Sequence, residues 1–159
     1  MTDDLAATPA DEVTLHIEAP ADRIYDIVTD IAQMGRLSPE CTGGKWLDGA
    51  SGPAVGARFK GSNKRGFARW STTNKVVEAE PGQAFSFETQ QSAARWTYRM
   101  QPEGTGTLVT ETRQLYKERP KVAVIFTKLL LGGEQGHDEE LRKGMQQTLE
   151  RVKALAETG

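Results

Sequence analysis

Few side chains in this chain are of the kinds that do chemistry. The single cysteine, Cys41, lies in the stretch LSPECTGGKWLDG, with Glu40 beside it and Trp46 five residues on. A nucleophilic cysteine needs its thiolate, made by a nearby base or by a helix N-terminus. Cys41 instead follows a helix end, and a neighbouring Glu40 raises a thiol pKa. The two histidines are His16 and His137. His16 points away from Leu15 and Ile17 on a strand, hence outward. With no second cysteine and no histidine cluster, no metal site is expected. No cofactor is expected, and the chain has no glycine-rich phosphate loop, no GxSxG and no paired-carboxylate signature. The Cys41 stretch reads best as a loop at the mouth of a cavity, with Trp46 on its lining or in the core.

His137 is the better candidate. On a helical wheel it falls near Gly144, Thr148 and Leu155, at one edge of an apolar stripe. Gly144 costs about 1 kcal/mol of helix propensity, and a cavity would be a reason to accept that. His137 then serves as a hydrogen-bonding or acid/base group in the pocket; the alternative is a half-exposed histidine in a first helical turn. The aromatic set Trp46, Phe59, Trp70, Phe85, Phe87, Trp96 and Tyr98 falls largely on alternating strand positions, which is first of all a core pattern. Tyr98, with its polar tip, is the strongest candidate ligand contact. Arg69 and Arg95 are ambiguous by strand parity, and either suits an acidic ligand if it points inward.

The elements that must position these residues follow from periodicity. VTLHIE (13–18) alternates like a half-buried strand. APADRIYDIVTDI opens with Pro20 and Asp22 and repeats Ile24, Ile27 and Val28 at helical spacing. Asp30 caps a second short helix through Met34, stopped by Pro39. From Lys45 to Leu115 every signal is strand or turn: KWLDG, GARFKG, NKRG, FARWSTTNKVVEAE, PGQ, AFSFET, RWTYRMQP, EGTG and TLVTETRQLY. That gives six consecutive antiparallel strands, seven with the first. PKVAVIFTKLLL then reads as a helix interrupted at Gly132-Gly133. The last run carries Leu141, Met145, Leu149, Val152 and Leu155 on one face. Glu139, Lys143, Gln146, Gln147 and Glu150 lie opposite, which defines a long amphipathic helix. A curved sheet with one apolar face must bury it, and the last helix is the large partner available. The expected fold class is α+β: a helix-grip with a curved antiparallel sheet of about seven strands around a long C-terminal helix, and two short helices after the first strand.

Composition narrows the role. At 159 residues, with 37% hydrophobic and 26% charged side chains, the chain fits one soluble domain. Residues 1–11 are expected to be a flexible leader and 12–157 the domain. The 20 basic and 22 acidic side chains leave a net charge of −2, so no overall field draws the protein onto nucleic acid. The acidic N-terminus lacks a signal peptide's basic start and apolar stretch, and the single cysteine allows no internal disulfide, so a cytoplasmic location is expected. The basic group Lys60, Lys64, Arg65 and Arg69 surrounds a hairpin turn. It is either a solvated turn or a weak, transient dock for an anionic membrane surface.

The segments APADRIYDIVTDIAQMGRLSPECTGGKW, VGARFKGSNKRG, ARWSTTNKVVEAEPGQAFSFE, WTYRMQPEGTGTLVTE and GMQQTLERVKALAE together resemble the polyketide cyclase/dehydrase and lipid-transport family. That family belongs to the START-like (SRPBCC) helix-grip superfamily, which includes the Bet v 1 proteins. The likeness runs from about Glu12 to Glu157 and is specific for fold rather than for chemistry. It implies a small hydrophobic, lipid- or polyketide-like ligand held between sheet and C-terminal helix. The expected lining is Trp46, Phe59, Arg69, Trp70, Phe87, Trp96, Tyr98, His137, Leu141, Gly144 and Met145. Two readings follow, a carrier or binding protein and a cyclase, aromatase or dehydratase. In the second, His137, Tyr98 and Glu40 are the candidate acid/base groups. Monomer and homodimer both fit.

Overall fold

The computed structural model describes residues 11–116 and 134–158; within the final helix, the side chains of residues 134–138, 140 and 141 are outside that description. The expected helix in PKVAVIFTKLLL, and the His137 and Leu141 side chains, therefore lie outside the described residues. The elements are β1 (Asp11–Ile17), α1 (Ala21–Val28), a 3₁₀ helix (Ile31–Arg36), β2 (Cys41–Trp46), β3 (Arg58–Arg65), β4 (Ala68–Glu80), β5 (Ala84–Thr89), β6 (Ala94–Glu103), β7 (Gly106–Leu115) and α2 (Glu134–Thr158). All seven strands form one antiparallel sheet in the order β1-β7-β6-β5-β4-β3-β2. Every neighbour except the β1–β7 pair is also a chain neighbour, so a meander closes by bringing the first strand to the last. This is the helix-grip arrangement expected from the sequence.

Two boundaries differ from that expectation. β1 begins at Asp11, because its carboxylate is buried against an arginine of β7 (below), so the residue assigned to the leader is structural. The Cys41 stretch is a strand rather than a loop. Gly43 and Gly44 let it pair with β3, with a bulge between Cys41 and Gly43. A Cβ on Gly44 would lie 2.7 Å from both the Ile31 side chain and its carbonyl oxygen. Glycine thus lets the 3₁₀ helix lie directly on β2. A second bulge, between Val76 and Glu78, bends β4.

The concave face carries the core. Ile17, Phe59, Val76, Phe85 and Val109 from the sheet meet Ile24, Val28 and Ile31 from the short helices and Met145, Leu149 and Val152 from α2. Phe59 contacts Trp46 and Phe87 edge-on at 5.5 and 5.1 Å, and Phe87 reaches Phe85 at 5.7 Å, giving a continuous aromatic row. Met145, Leu149 and Val152 are buried as the amphipathic pattern predicts, while Glu139, Lys143, Gln147 and Glu150 are exposed. Helix α2 lies mainly against β1, β7 and α1. It covers one end of the sheet much more than the other.

Candidate functional site

Tyr98 and Glu111 face each other across the β6–β7 register, both on the concave side. The Tyr98 hydroxyl donates to Glu111 Oε2 at 3.0 Å. Both side chains are buried, and Glu111 Oε1 has no hydrogen-bond partner among the described residues. Burial dominates the acid's behaviour: it lifts the Glu111 pKa from 4.5 to about 8, the Tyr98 hydrogen bond only partly opposing it. The carboxyl therefore holds its proton at neutral pH. The Tyr98 phenol is pushed well above its usual range, first by burial, then by the Glu111 charge and their shared bond, and lastly by Cys41. That last influence places Cys41, at the start of β2, within electrostatic reach of Tyr98. The result is a neutral acid–phenol pair in an apolar interior, able to donate a proton.

Two residues along β7, Arg113 donates to Asp11 Oδ2 through Nε (3.0 Å) and Nη2 (2.7 Å). Arg142 of α2 reaches the other oxygen, with Nε 3.0 Å and Nη2 2.9 Å from Asp11 Oδ1. The Asp11 and Arg113 side chains are almost wholly buried, while Arg142 is exposed. One carboxylate on the first strand thereby ties the last strand to the terminal helix. A second inward polar group sits on the other half of the sheet. Thr89 Oγ1 donates to Asn74 Oδ1 at 2.7 Å, and Asn74 Nδ2 donates to Thr72 Oγ1 (3.0 Å) and to the Phe59 carbonyl (3.3 Å).

The residues expected from sequence separate into groups. Phe59, Phe87, Tyr98 and Met145 are buried in the core, and Trp46, Trp70 and Trp96 are half-buried on the same concave face. Arg69 is not with them. It is opposite Lys64 in the β3–β4 register, on the exposed convex side, because Trp70 takes the inward position. Arg95 also points outward, donating to Glu88 through Nε at 2.9 Å. Gly144 does not open onto empty space: a Cβ there would meet the Pro39 ring at 3.4–3.6 Å, so Pro39 fills the room the missing side chain leaves. Glu40 lines an open depression of about 380 Å³ with Pro39, Thr42, Lys64, Arg65 and Gly66, at the rim of the sheet and away from Glu111. The Cys41 thiol donates to the Gly43 carbonyl at 3.4 Å, and burial pushes its pKa up, the opposite of an activated nucleophile. His16 is outward as expected, bound to Glu18 and to Glu103 (2.6 Å), which raise its pKa, Glu18 most. Among the described residues no cluster of His, Cys, Asp or Glu could hold a metal ion. None of their helices is long and apolar enough to cross a membrane.

Sequence reasoning missed Glu111, Arg113 and Asp11. In TLVTETRQ, the parity that makes Val109 inward also makes Glu111 and Arg113 inward. Two charged residues on an apolar parity were the available signal.

The class defined by this fold is the helix-grip, here with an acid–phenol pair on its inner face. Comparison with known families gives the class its name: residues 11–157 match the model of the family described as polyketide cyclase / dehydrase and lipid transport, and the chain belongs to that family. Among solved structures it is similar to the Polyketide_cyc-like protein Cgl2372 of Corynebacterium glutamicum, at 31% identity over 92% of this chain and 90% of that one, with a TM-score of 0.61. Two others share the fold at lower identity. The di-domain ARO/CYC StfQ of the steffimycin biosynthetic pathway matches at 15% identity and TM-score 0.69, over 92% of this chain and 49% of its own. Major latex-like protein 151 of Panax ginseng matches at 12% and 0.66, over 91% and 95%. None of the curated proteins compared with the chain matches it.

Proposed function

We propose that the protein binds a small hydrophobic molecule, lipid- or polyketide-like, between the concave face of the sheet and α2, as a carrier or binding protein. The observation that carries this reading is the incomplete burial of Trp46, Trp70 and Trp96. All three point inward from β2, β4 and β6, yet they remain half-buried. Helix α2 lies chiefly on the β1–β7 end. Large aromatics on a concave face suit an apolar ligand, and Asn74 with Thr72 and Thr89 adds a few fixed polar groups. The family's description, which includes lipid transport, supports the same reading.

A second reading is favoured by the Glu111–Tyr98 pair. A buried carboxylic acid that keeps its proton near neutrality is the general acid that dehydration or aldol closure of a bound polyketide-like chain needs. In that reading Glu111 takes the role expected of His137 or Glu40, and Tyr98 orients it.

Titration with the neutral probe N-phenyl-1-naphthylamine, read by tryptophan quenching, tests the first reading. Saturable binding that weakens in Trp70→Ala with the thermal midpoint retained is the expected result; no saturable binding overturns it. Mass spectrometry of molecules that co-purify with the protein from its native host then identifies the ligand. Incubating that ligand with wild type and Glu111→Gln separates carrier from enzyme. The enzyme reading requires turnover that falls by ~10²–10⁴-fold in the variant.

A further inference from the structure

The β3–β4 hairpin turns through two residues, Gly66 and Phe67, between the registered pair Arg65 and Ala68. Gly66 has φ +59°, the left-handed value that the first central position of a type II′ turn requires. The tight turn leaves Phe67 at the tip with nothing to pack against, and it is fully exposed. An isolated exposed phenylalanine costs little, but its setting here is unusual. On the convex side, three cross-strand registers place cation against cation: Lys64 with Arg69 next to the tip, then Lys45 with Lys60, and Arg58 with Lys75. Like charges directly opposite each other destabilise a sheet. Arg58 is relieved by Asp48 at 3.0 Å, and Lys75 has Glu88 on its other flank in the register with β5. Lys45, Lys60, Lys64 and Arg69 are exposed, and among the described residues none of them has an acidic partner. Four uncompensated cations thus share one face of a protein whose net charge is −2, running back ~13 Å from Lys64 to Lys60 behind an aromatic tip.

We infer that this hairpin docks the protein onto an anionic lipid bilayer, with Phe67 entering the interface and Lys45, Lys60, Lys64 and Arg69 lying against the headgroups. Phenylalanine is an interfacial wedge, and basic residues beside it gain roughly five-fold in affinity each near an anionic surface. The open depression lined by Pro39, Glu40, Thr42, Lys64, Arg65 and Gly66 lies beside the tip, so docking brings this rim of the sheet to the bilayer. The inference goes beyond the ligand-binding reading and does not require it.

Sedimentation with large vesicles tests it, comparing pure phosphatidylcholine with a mixture containing one-third phosphatidylserine. Wild type should pellet with the mixed vesicles, bind the neutral ones at least ~20-fold more weakly, and be released by added salt. The double variant Lys64→Glu/Arg69→Glu should lose at least ~20-fold in affinity. Phe67→Ser should lose several-fold while keeping its salt dependence. Lys143→Glu, on the exposed face of α2, should bind as wild type does. All four sites are exposed, and unchanged thermal midpoints verify that the variants are folded. Equal binding to both vesicles, no binding to either, or full binding by the charge-reversed hairpin overturns the proposal. Retention on single-stranded RNA with none on vesicles overturns it too.

Discussion

The two ends of the sheet solve the same burial problem differently. At the β1–β7 end, α2 is seated by Met145, Leu149 and Val152, and a buried salt bridge from Asp11 to Arg113 extends to Arg142 on the helix. At the β2–β4 end, inward tryptophans stay half-buried, the outer face carries cations with no acidic partner among the described residues, and the hairpin tip exposes a phenylalanine. One end spends its polar groups fixing the position of the helix. The other leaves apolar and basic surface unsatisfied. Stability should therefore concentrate at the first end, and interactions with other molecules at the second.

The sharpest way to break that comparison is Asp11→Ala. It removes the buried carboxylate that Arg113 and Arg142 share, and breaking a buried pair in this way costs about 3–5 kcal/mol. Urea unfolding should show the loss, with a further signature in amide exchange along α2. A loss below ~1 kcal/mol would mean that the helix is held by its apolar stripe alone.

The Asp11–Arg113 pair is invisible to sequence periodicity for a physical reason. Strand and helix periodicity reports which face is apolar, and it correctly assigned seven strands, two short helices and the Met145–Leu149–Val152 stripe. Periodicity is silent on a charged residue whose partner is a hundred positions away: Asp11 and Arg113 meet only because β1 closes onto β7. Arg69 was undecidable for the opposite reason. Its strand carries polar residues on both parities, so only the register with β3 shows that Trp70 points inward and Arg69 outward. The strand that begins at Cys41 was not legible either. Gly43 and Gly44 read as loop residues by type, whereas in the fold they permit strand pairing and the close approach of Ile31.

A smaller effect, in the middle of the sheet, is carried by Glu111. The folded protein holds this proton up to about pH 8, whereas the unfolded chain releases it near 4.5. Between those values the unfolded state binds fewer protons, so stability falls as pH rises and levels off above about 8. At 1.36 kcal/mol per pH unit the accumulated loss is roughly 3 kcal/mol by pH 7. Glu111→Gln keeps the shape, cannot ionise, and should lack this slope. Unfolding curves of both proteins at pH 5 and pH 7 give the difference directly, because other titrating groups contribute equally to each. Parallel pH profiles would mean that Glu111 is ionised in the fold, removing it as the acid of the catalytic reading.

The finest test lies at Gly144, where α2 faces Pro39. From sequence, this glycine looked like room left for a ligand. In the fold, the Pro39 ring occupies that room, with a substituted Cβ landing 3.4 Å from Cγ and 3.6 Å from Cδ, the range of ordinary packing. Alanine should then fit without displacing the ring. It should also gain the helix preference that glycine forgoes, about 1 kcal/mol. Gly144→Ala is therefore expected to raise the thermal midpoint slightly and leave probe affinity unchanged, since the Pro39 ring faces this position. A fall in affinity with stability unchanged or increased would move the ligand space toward α2 and put Gly144 back on its lining.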